Sequence, residues 1–434
     1  HTGIQLSVAS AAEADIDDAL EHHYARSASI EETIDALMRD GLLASDDEVA
    51  SESPMVRLAD QILALAVKYQ ATDVHVEPEE KALRIRMRVD GVLRQELVIP
   101  TKLRAGLCAR YKLMAGLNVA EKRLPQDGRI EFLFGRRKVD LRVSSLPTSH
   151  GESVVMRVLE SGMDRPGFSE LGFNTKTCQQ IQDVIERPFG MVLVTGPTGS
   201  GKTTTLYSAL GLVDAVERSI FTLEDPIEYA MPQVRQTQVR EGIGMTFSAG
   251  LRALLRQDPD VILVGEIRDE ETASLAVRAS MTGHLVFSSL HTNNAAGVIP
   301  RLIDMGVERY LLPAALSAVV AQRLMRCLCR ECAVPDPHRQ SWIDRFPAVF
   351  DDQSEIMLPK GCERCAHNGY VGRQAIVESF LMDESFHELI LKDVNIAELE
   401  RHARACGMQP LLEDGLLKAA RGVSNVQEVL RVVR

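Results

Sequence analysis

Hydrophobic positions follow two regimes along this chain. Between residues 54 and 160 they alternate with polar ones or recur at helical spacing. From residue 190 to 291 they form short unbroken runs. In the first regime Ser53-Pro54 opens a predicted helix, with Val56, Leu58, Ile62, Leu63 and Ala66 turned largely to one side. Leu83, Ile85, Met87 and Val89 alternate with Arg84, Arg86 and Arg88, and the turn pair Asp90-Gly91 leads into Val92, which predicts a hairpin. Leu103 to Leu117 reads as a helix. A second hairpin follows from Ile130, Phe132 and Phe134, a turn at Gly135, and the return of Val139, Leu141 and Val143. These elements predict a small α+β domain over residues 54–165.

Upstream, Ser29 and Glu32 have capping-box spacing, Ile30, Ile34, Leu37 and Met38 share a face, and Gly41 is a stop. Residues 1–53 are therefore expected to be a small helical segment and a linker, Ala44 to Ser53. Gly162 to Gly172 is a loop and candidate hinge. In the second regime the apolar runs Met191–Val194, Ser219–Leu223, Asp260–Val264 and His284–His291 read as strands alternating with helices, which predicts an α/β fold with a parallel-type sheet. Asn395 to Arg434 reads as two or three helices punctuated by Gly407, Gly415 and Gly422.

The first apolar run enters the pattern that organises the chain: Gly196-Pro197-Thr198-Gly199-Ser200-Gly201-Lys202-Thr203, then Thr204. This fits G-x-x-x-x-G-K-[ST] between a strand and a helix signed by Leu206, Tyr207 and Leu210. The glycines let backbone N–H groups converge on an anion, and the helix adds the positive end of its dipole. Lys202 is expected on the β- and γ-phosphates of ATP, and Thr203 on Mg²⁺.

The other strands deliver Glu224, Asp225 and Glu228, then Glu266, then His291 to the edge where ligands collect in such sheets. Glu266 ends an apolar strand, placed to orient water or sit beside the metal. Glu224, Asp225 and Glu228 are expected to act through the metal's waters, and His291 to donate to the γ-phosphate. Arg129, Arg142 and Arg157, in or next to strands, fit either solvated faces or contacts to a phosphate held by another domain or subunit. Arg252 and Arg256, four apart, fit a solvated helix face or a subunit interface.

Cys329-x-x-Cys332 and Cys362-x-x-Cys365 have the form of two zinc knuckles, with Cys327 as an additional candidate. Four thiolates leave no open position, so the expected Zn²⁺ is structural. Cys108, Cys178 and Cys406 are expected to be ordinary buried residues. The composition, 45% hydrophobic and 25% charged over 434 residues, is that of a globular chain of two to four domains. The net charge of −12 weighs against a nucleic-acid partner. No apolar run reaches the ~18 residues of a membrane helix; the longest, Leu311 to Ala321, contains Pro313. No signal peptide is visible, and paired cysteines without an export signal point to the cytoplasm.

These motifs resemble the secretion ATPases of type II secretion and type IV pilus assembly, over residues 54–434. The resemblance rests on Glu121–Arg129, the phosphate loop, and the aspartate box Glu224-Asp-Pro-Ile-Glu228. It extends through Arg256–Asp260, the atypical Walker B Gly265-Glu-Ile-Arg-Asp269, and a histidine box spanning Thr282–His284 and Leu290–Asn293. It makes His284 a nucleotide-site candidate and maps the family's γ-phosphate arginines to Arg129, Arg142 and Arg157. The paired cysteines match a zinc module of secretion and pilus-extension members that is missing from retraction members.

Ser149–Glu152 and Gln236–Val239 look more like type II secretion than pilus extension. The resemblance implies a PAS-like domain before a RecA-like ATPase core (172–326), a zinc module (327–372) and a C-terminal helical region (373–434). It also implies a hexamer, peripheral to the inner membrane, driving pseudopilus assembly through a platform protein. A membrane-anchored recruitment protein would be its other partner, although most of the family's larger amino-terminal recruitment domain has no counterpart in these residues. Pilus extension or DNA uptake is the alternative load. A nucleotide-gated scaffold with little turnover is the alternative class.

Overall fold

The computed structural model describes residues 30–39, 53–135, 137–160, 166–392 and 395–433. The chain divides into two compact units, His1–Met163 and Asp164–Arg434. Ser29, Gly41, most of the expected linker and the first part of the expected hinge lie outside the described residues.

In the first unit six strands form one antiparallel sheet. They are β1 (Asp73–Pro78), β2 (Ala82–Val89), β3 (Val92–Pro100), β4 (Gln126–Phe134), β5 (Arg137–Thr148) and β6 (Gly151–Glu160), ordered β3-β2-β1-β6-β5-β4. The expected hairpins are β2–β3 and β4–β5; β1 and β6 join them at the centre, carrying the alternations Val74/Val76 and Val154/Met156/Val158 that the sequence reading did not single out. Helices Pro54–Lys68 and Arg104–Met114 cover one face, where Leu58, Ile62, Leu107 and Tyr111 pack on Val74, Ile85, Leu141 and Met156. Ile30, Ile34 and Leu37 of helix Ile30–Arg39 pack against the same core.

Alternation sends the intervening residues to the other face. Register then aligns Arg129 with Arg142, Arg142 with Arg157, Arg157 with Asp73, and Asp73 with Arg88. The three candidate arginines therefore stand in one row across adjacent strands, about 4.8 Å apart per strand. Asp73 is the one carboxylate in that row, 3.2 Å from Arg157 Nε and 3.4 Å from Arg88 Nε.

The second unit is built on β7 (Gly190–Thr195), β8 (Ile220–Glu224), β9 (Arg235–Gln238), β10 (Val261–Val264), β11 (Leu285–Leu290) and β12 (Leu316–Leu328). A separate small pair, β13 (Val334–Pro335) with β14 (Met357–Leu358), precedes β15 (Tyr370–Leu381). The large sheet runs β15-β12-β7-β11-β10-β8-β9; all neighbours are parallel except the antiparallel pair β12–β15. Successive residues of β7 and β10 enter opposite cores. Met191, Leu193, Ile262 and Val264 lie in one; Val192, Val194, Val261 and Leu263 lie in the other. Burial on both faces is why these strands are unbroken apolar runs.

The run Leu311–Ala321 is a short helix, Leu312–Ala315, followed by the start of β12. Among the described residues no helix is long and apolar enough to cross a membrane. The expected boundary at 372/373 falls inside β15, which belongs to the ATPase sheet because it pairs with β12 along nearly its whole length.

The last helix, Val426–Val433, is tied to β12 through Glu428. Its carboxylate accepts from the Arg326 backbone N–H (3.1 Å) and guanidinium (3.0 and 2.7 Å), and from Arg431 (2.7 Å twice). Burial alone would raise its pKa; the bonds from Arg431 and Arg326 outweigh that and hold it at about 2. A depressed carboxylate contributes stability that is present above its unfolded pKa, about 4.5, and lost as pH falls through the folded value. Glu428→Gln is expected to cost roughly 2 kcal/mol at pH 7 after allowance for screening. Its melting temperature should converge with that of the unsubstituted protein between about pH 4.5 and 2, as thermal unfolding across pH will check.

Candidate functional site

The chain leaves β7 at Gly196 and re-enters regular structure at Lys202, the first residue of helix Lys202–Gly211. Gly199 and Gly201 have φ of 78° and 87°, a region that only glycine adopts freely. Gly196 is needed for space, since a Cβ there would stand 2.4 Å from the Gln322 carbonyl oxygen. The Ser200 hydroxyl oxygen is buried and has no hydrogen-bond partner among the described residues. Lys202 folds back over the loop, donating to the carbonyls of Gly196 (2.8 Å) and Pro197 (3.2 Å). Burial lowers its pKa, and Glu266 opposes that shift. A tight cradle, an orphaned buried hydroxyl and an ammonium resting on weak carbonyl acceptors together fit a phosphate chain. Thr203, exposed in the first turn of the helix, is available to a magnesium ion.

Glu266 follows β10 on the same sheet edge. Its Oε1 lies 2.5 Å from Arg268, and its Oε2 3.6 Å from His291 Nε2 at the end of β11. Arg268 also approaches Asp225 at 3.8 Å. Glu266, His291 and Asp225 thus share one charged cluster, with Arg268 as its cationic centre. Arg268 lies inside a quoted motif but carries no role in the sequence reading.

Three expected residues have other surroundings. Glu224 is buried with both oxygens engaged: Oε1 accepts from Thr222 (2.6 Å) and Gln236 (3.0 Å), and Oε2 accepts from the Tyr207 hydroxyl. It fastens the phosphate-loop helix to β8 and β9 instead of projecting toward a metal's waters. Tyr207 is driven well above its ordinary pKa, by burial first and by Glu224 second. Glu228 is half-buried, its backbone N–H 3.4 Å from the Tyr207 hydroxyl. His284 precedes β11, whereas His291 follows it; the six intervening residues put about 20 Å between them. Its Nδ1 meets the Ala279 carbonyl at 2.9 Å, away from the phosphate loop of its own chain.

The four knuckle cysteines converge. Cys329–Cys362 and Cys332–Cys365 sulfurs are 3.8 Å apart, and Cys362–Cys365 sulfurs 3.7 Å. A tetrahedron with Zn–S bonds of ~2.3 Å requires edges of ~3.8 Å. Backbone N–H groups of Gly361, Cys362 and Gly369 donate to Cys332 or Cys365 sulfur at 3.1 to 3.2 Å, as thiolate ligands need. Cys327 is not among the converging four.

Of the other cysteines, Cys108 is buried, with its thiol pKa pushed up to about 11 chiefly by burial, and Cys178 is half-buried. Cys406 is exposed, contrary to expectation. It caps helix Ile396–Ala405 beyond the face that buries Leu399 and Ala403. Arg252 pairs with Glu271 at the surface, and Arg256 donates to the Arg252 carbonyl (2.7 Å).

Residues 48–431 match the family model described as type II/IV secretion system protein. The chain belongs to that family. Membership and the phosphate loop together make it an ATPase, with a RecA-like α/β core. It is 46% identical to type II secretion system ATPase E of Vibrio cholerae, over 91% of this chain and 77% of the relative. It is 42% identical to type IV pilus assembly ATPase PilB of Myxococcus xanthus, over 99% of this chain and 78% of the relative. The pilus retraction motor PilT, solved with ADP, superposes with a TM-score of 0.56 at 25% identity, covering 86% of this chain and 96% of that one. The Legionella pneumophila ATPase DotB shares the fold, with a TM-score of 0.64 at 21% identity over 89% of this chain and 97% of that one.

Proposed function

We propose that this secretion-family ATPase is a Mg²⁺-dependent hexameric motor that drives pseudopilus assembly in type II secretion. It would act at the cytoplasmic side of the inner membrane, with a platform protein and a recruitment protein as partners. The observation that carries the catalytic part is the meeting of Glu266 and His291 on the sheet edge where the phosphate loop opens.

In this reading Lys202 exchanges its two carbonyl acceptors for β- and γ-phosphate oxygens. The loop N–H groups and Ser200 take the remaining oxygens. A bound Mg²⁺, held through Thr203 with Asp225 as an outer partner, would neutralise developing charge on the phosphates. Glu266, turning from Arg268, orients the attacking water and takes its proton. His291 donates to the γ-phosphoryl group.

The row Arg129–Arg142–Arg157 sets three guanidinium groups on neighbouring strands, with Asp73 beside Arg157 at one end, a surface whose charge suits an anion. A γ-phosphate in the assembled hexamer is the proposed anion. The test is ATP turnover per chain at rising protein concentration, beside Arg142→Gln. Turnover is expected to climb with concentration, and to fall about 10- to 100-fold in the variant at every concentration. Concentration-independent turnover, untouched by the substitution, counts against the shared site.

Pilus extension is the second reading. The 42% identity to PilB over 99% of the chain favours it. Complementation of secretion-deficient against pilus-deficient strains separates the two loads.

A further inference from the structure

A polar side chain that the sequence reading passed over lies under the phosphate loop. Strand β12 runs beside β7 in parallel, with Val320 opposite Val194 and Ala321 opposite Thr195. The next residue on β12, Gln322, therefore lies alongside the point where the chain turns out of β7 into the loop. It is 1% exposed, directly after the apolar run Ala318–Ala321 of the strand. A buried amide at such a place needs partners for both ends, and Gln322 has them. Its Nε2 donates to the Ser200 carbonyl at 2.7 Å, and its Oε1 accepts from the Thr205 hydroxyl at 2.8 Å. The amide orientation is fixed by this, since a carbonyl acceptor must face the N–H end.

We infer that Gln322 is a positioning residue for nucleotide binding, acting through the peptide between Ser200 and Gly201. In a planar trans peptide the C=O and the N–H point to opposite sides. Holding the Ser200 carbonyl down onto β12 therefore aims the Gly201 N–H up, into the cradle. The same amide grips Thr205, whose backbone N–H bonds the Gly201 carbonyl at 3.1 Å in the first turn of the helix. One side chain thus sets both the loop and the helix N-terminus that together receive the phosphates.

The glycines on either side are fitted to it. A Cβ on Gly196 would meet the Gln322 backbone oxygen at 2.4 Å, and one on Gly201 would meet its Nε2 at 3.1 Å. The loop needs small residues at both places partly because Gln322 occupies the space beneath. Preorganised donors gain affinity by sparing the ordering cost at the moment of binding. Without the amide, the Ser200 carbonyl is free to rotate and the Gly201 N–H loses its aim.

Titrating ADP with Mg²⁺ into the full chain and three variants tests this. Gln322→Met keeps the length and removes both bonds; the dissociation constant is expected to rise about tenfold. Gln322→Glu supplies a readout that a merely structural role would not move. Protonated, its carboxyl donates to the Ser200 oxygen and accepts from Thr205, as the amide does. Ionised, it sets an acceptor against a carbonyl. The ratio of its dissociation constant to that of the unsubstituted protein should be close to one at pH 6 and exceed about ten at pH 9. Thr205→Val leaves β12 intact and breaks only the second bond, with an expected loss of about threefold.

A flat pH ratio, or a folded Gln322→Met chain that binds ADP normally, overturns the inference. Should the Gln322 variants fail to fold, Thr205→Val decides it, and unchanged affinity there overturns it. The inference rests on nucleotide binding at this loop, and the two fail differently. An unsubstituted chain that does not bind ADP removes the functional reading, whereas normal binding with unaffected variants removes only the role of Gln322.

Discussion

Glu266→Gln is expected to reduce ATP turnover about 10³-fold while leaving the dissociation constant for ADP within about threefold. The two side chains are nearly the same size, and the neutral amide keeps an oxygen for Arg268, which sits 2.5 Å from Oε1. What it loses is the capacity to take a proton from water and to hold it by charge. Carboxylate bases contribute about 10² to 10⁴ to such steps, and in the proposed site binding draws instead on the loop N–H groups and Lys202, which the substitution does not touch. Phosphate release at saturating ATP, measured beside ADP titration, checks both halves. Turnover that survives would move the role to another carboxylate. Glu224 is poorly placed to inherit it, since Thr222, Gln236 and Tyr207 hold its oxygens; Asp225, exposed and loosely paired with Arg268, comes next.

The second large effect concerns the four thiolates. One Zn²⁺ per chain is expected on elemental analysis of protein purified without chelator. Its removal should withdraw on the order of 10 kcal/mol of folding free energy from the module. The surrounding segment has little else to hold it. Between Val334 and Leu358 the only paired strands among the described residues are two residues long each. Trp342, Phe346 and Val349 instead lean on a cluster with Phe350, Ile356 and the C-terminal helices Leu411–Ala420 and Val426–Val433. Chelation under reducing conditions, or Cys365→Ser, should therefore expose protease sites between Cys329 and Gly369 and loosen those helices, with β7 to β11 remaining resistant. Equal resistance with and without metal, or far less than one metal per chain, would reduce the cluster to four neighbouring thiols.

The strands that carry the candidate site were legible because buried parallel strands are short apolar runs, and each run here leads into a glycine-rich loop or a polar strand end. Met191–Val194, Asp260–Val264 and Leu285–Leu290 could be placed from pattern alone, and with them Lys202, Glu266 and His291. What the pattern could not give was partnership across the fold. Glu224 reads like Glu266, a carboxylate at a strand end, yet Tyr207 from another element claims it. His284 was drawn in by its motif, but one strand length separates it from His291. The arginine row was half visible: three arginines beside strands were evident, while their alignment depends on the register of β4, β5 and β6, which apolar pattern alone does not fix. Gln322 did leave a trace, a lone amide in Leu-Ser-Ala-Val-Val-Ala-Gln-Arg-Leu. Asking what satisfies it would have flagged it.

The antiparallel pairing of β12 with β15 also bears on how such a chain changes over generations. The last paired positions, Leu328 and Tyr370, are neighbours, so everything from Cys329 to Gly369 leaves the sheet and returns at one point on its rim. A lineage could lose that whole segment in a single deletion, closing the gap with a tight turn, and every ladder bond below would stay in register. Gln322 and the phosphate loop would not notice the loss. The four-cysteine segment is thus heritable baggage of the kind that recombination can attach or discard, while the phosphate loop is locked into the sheet.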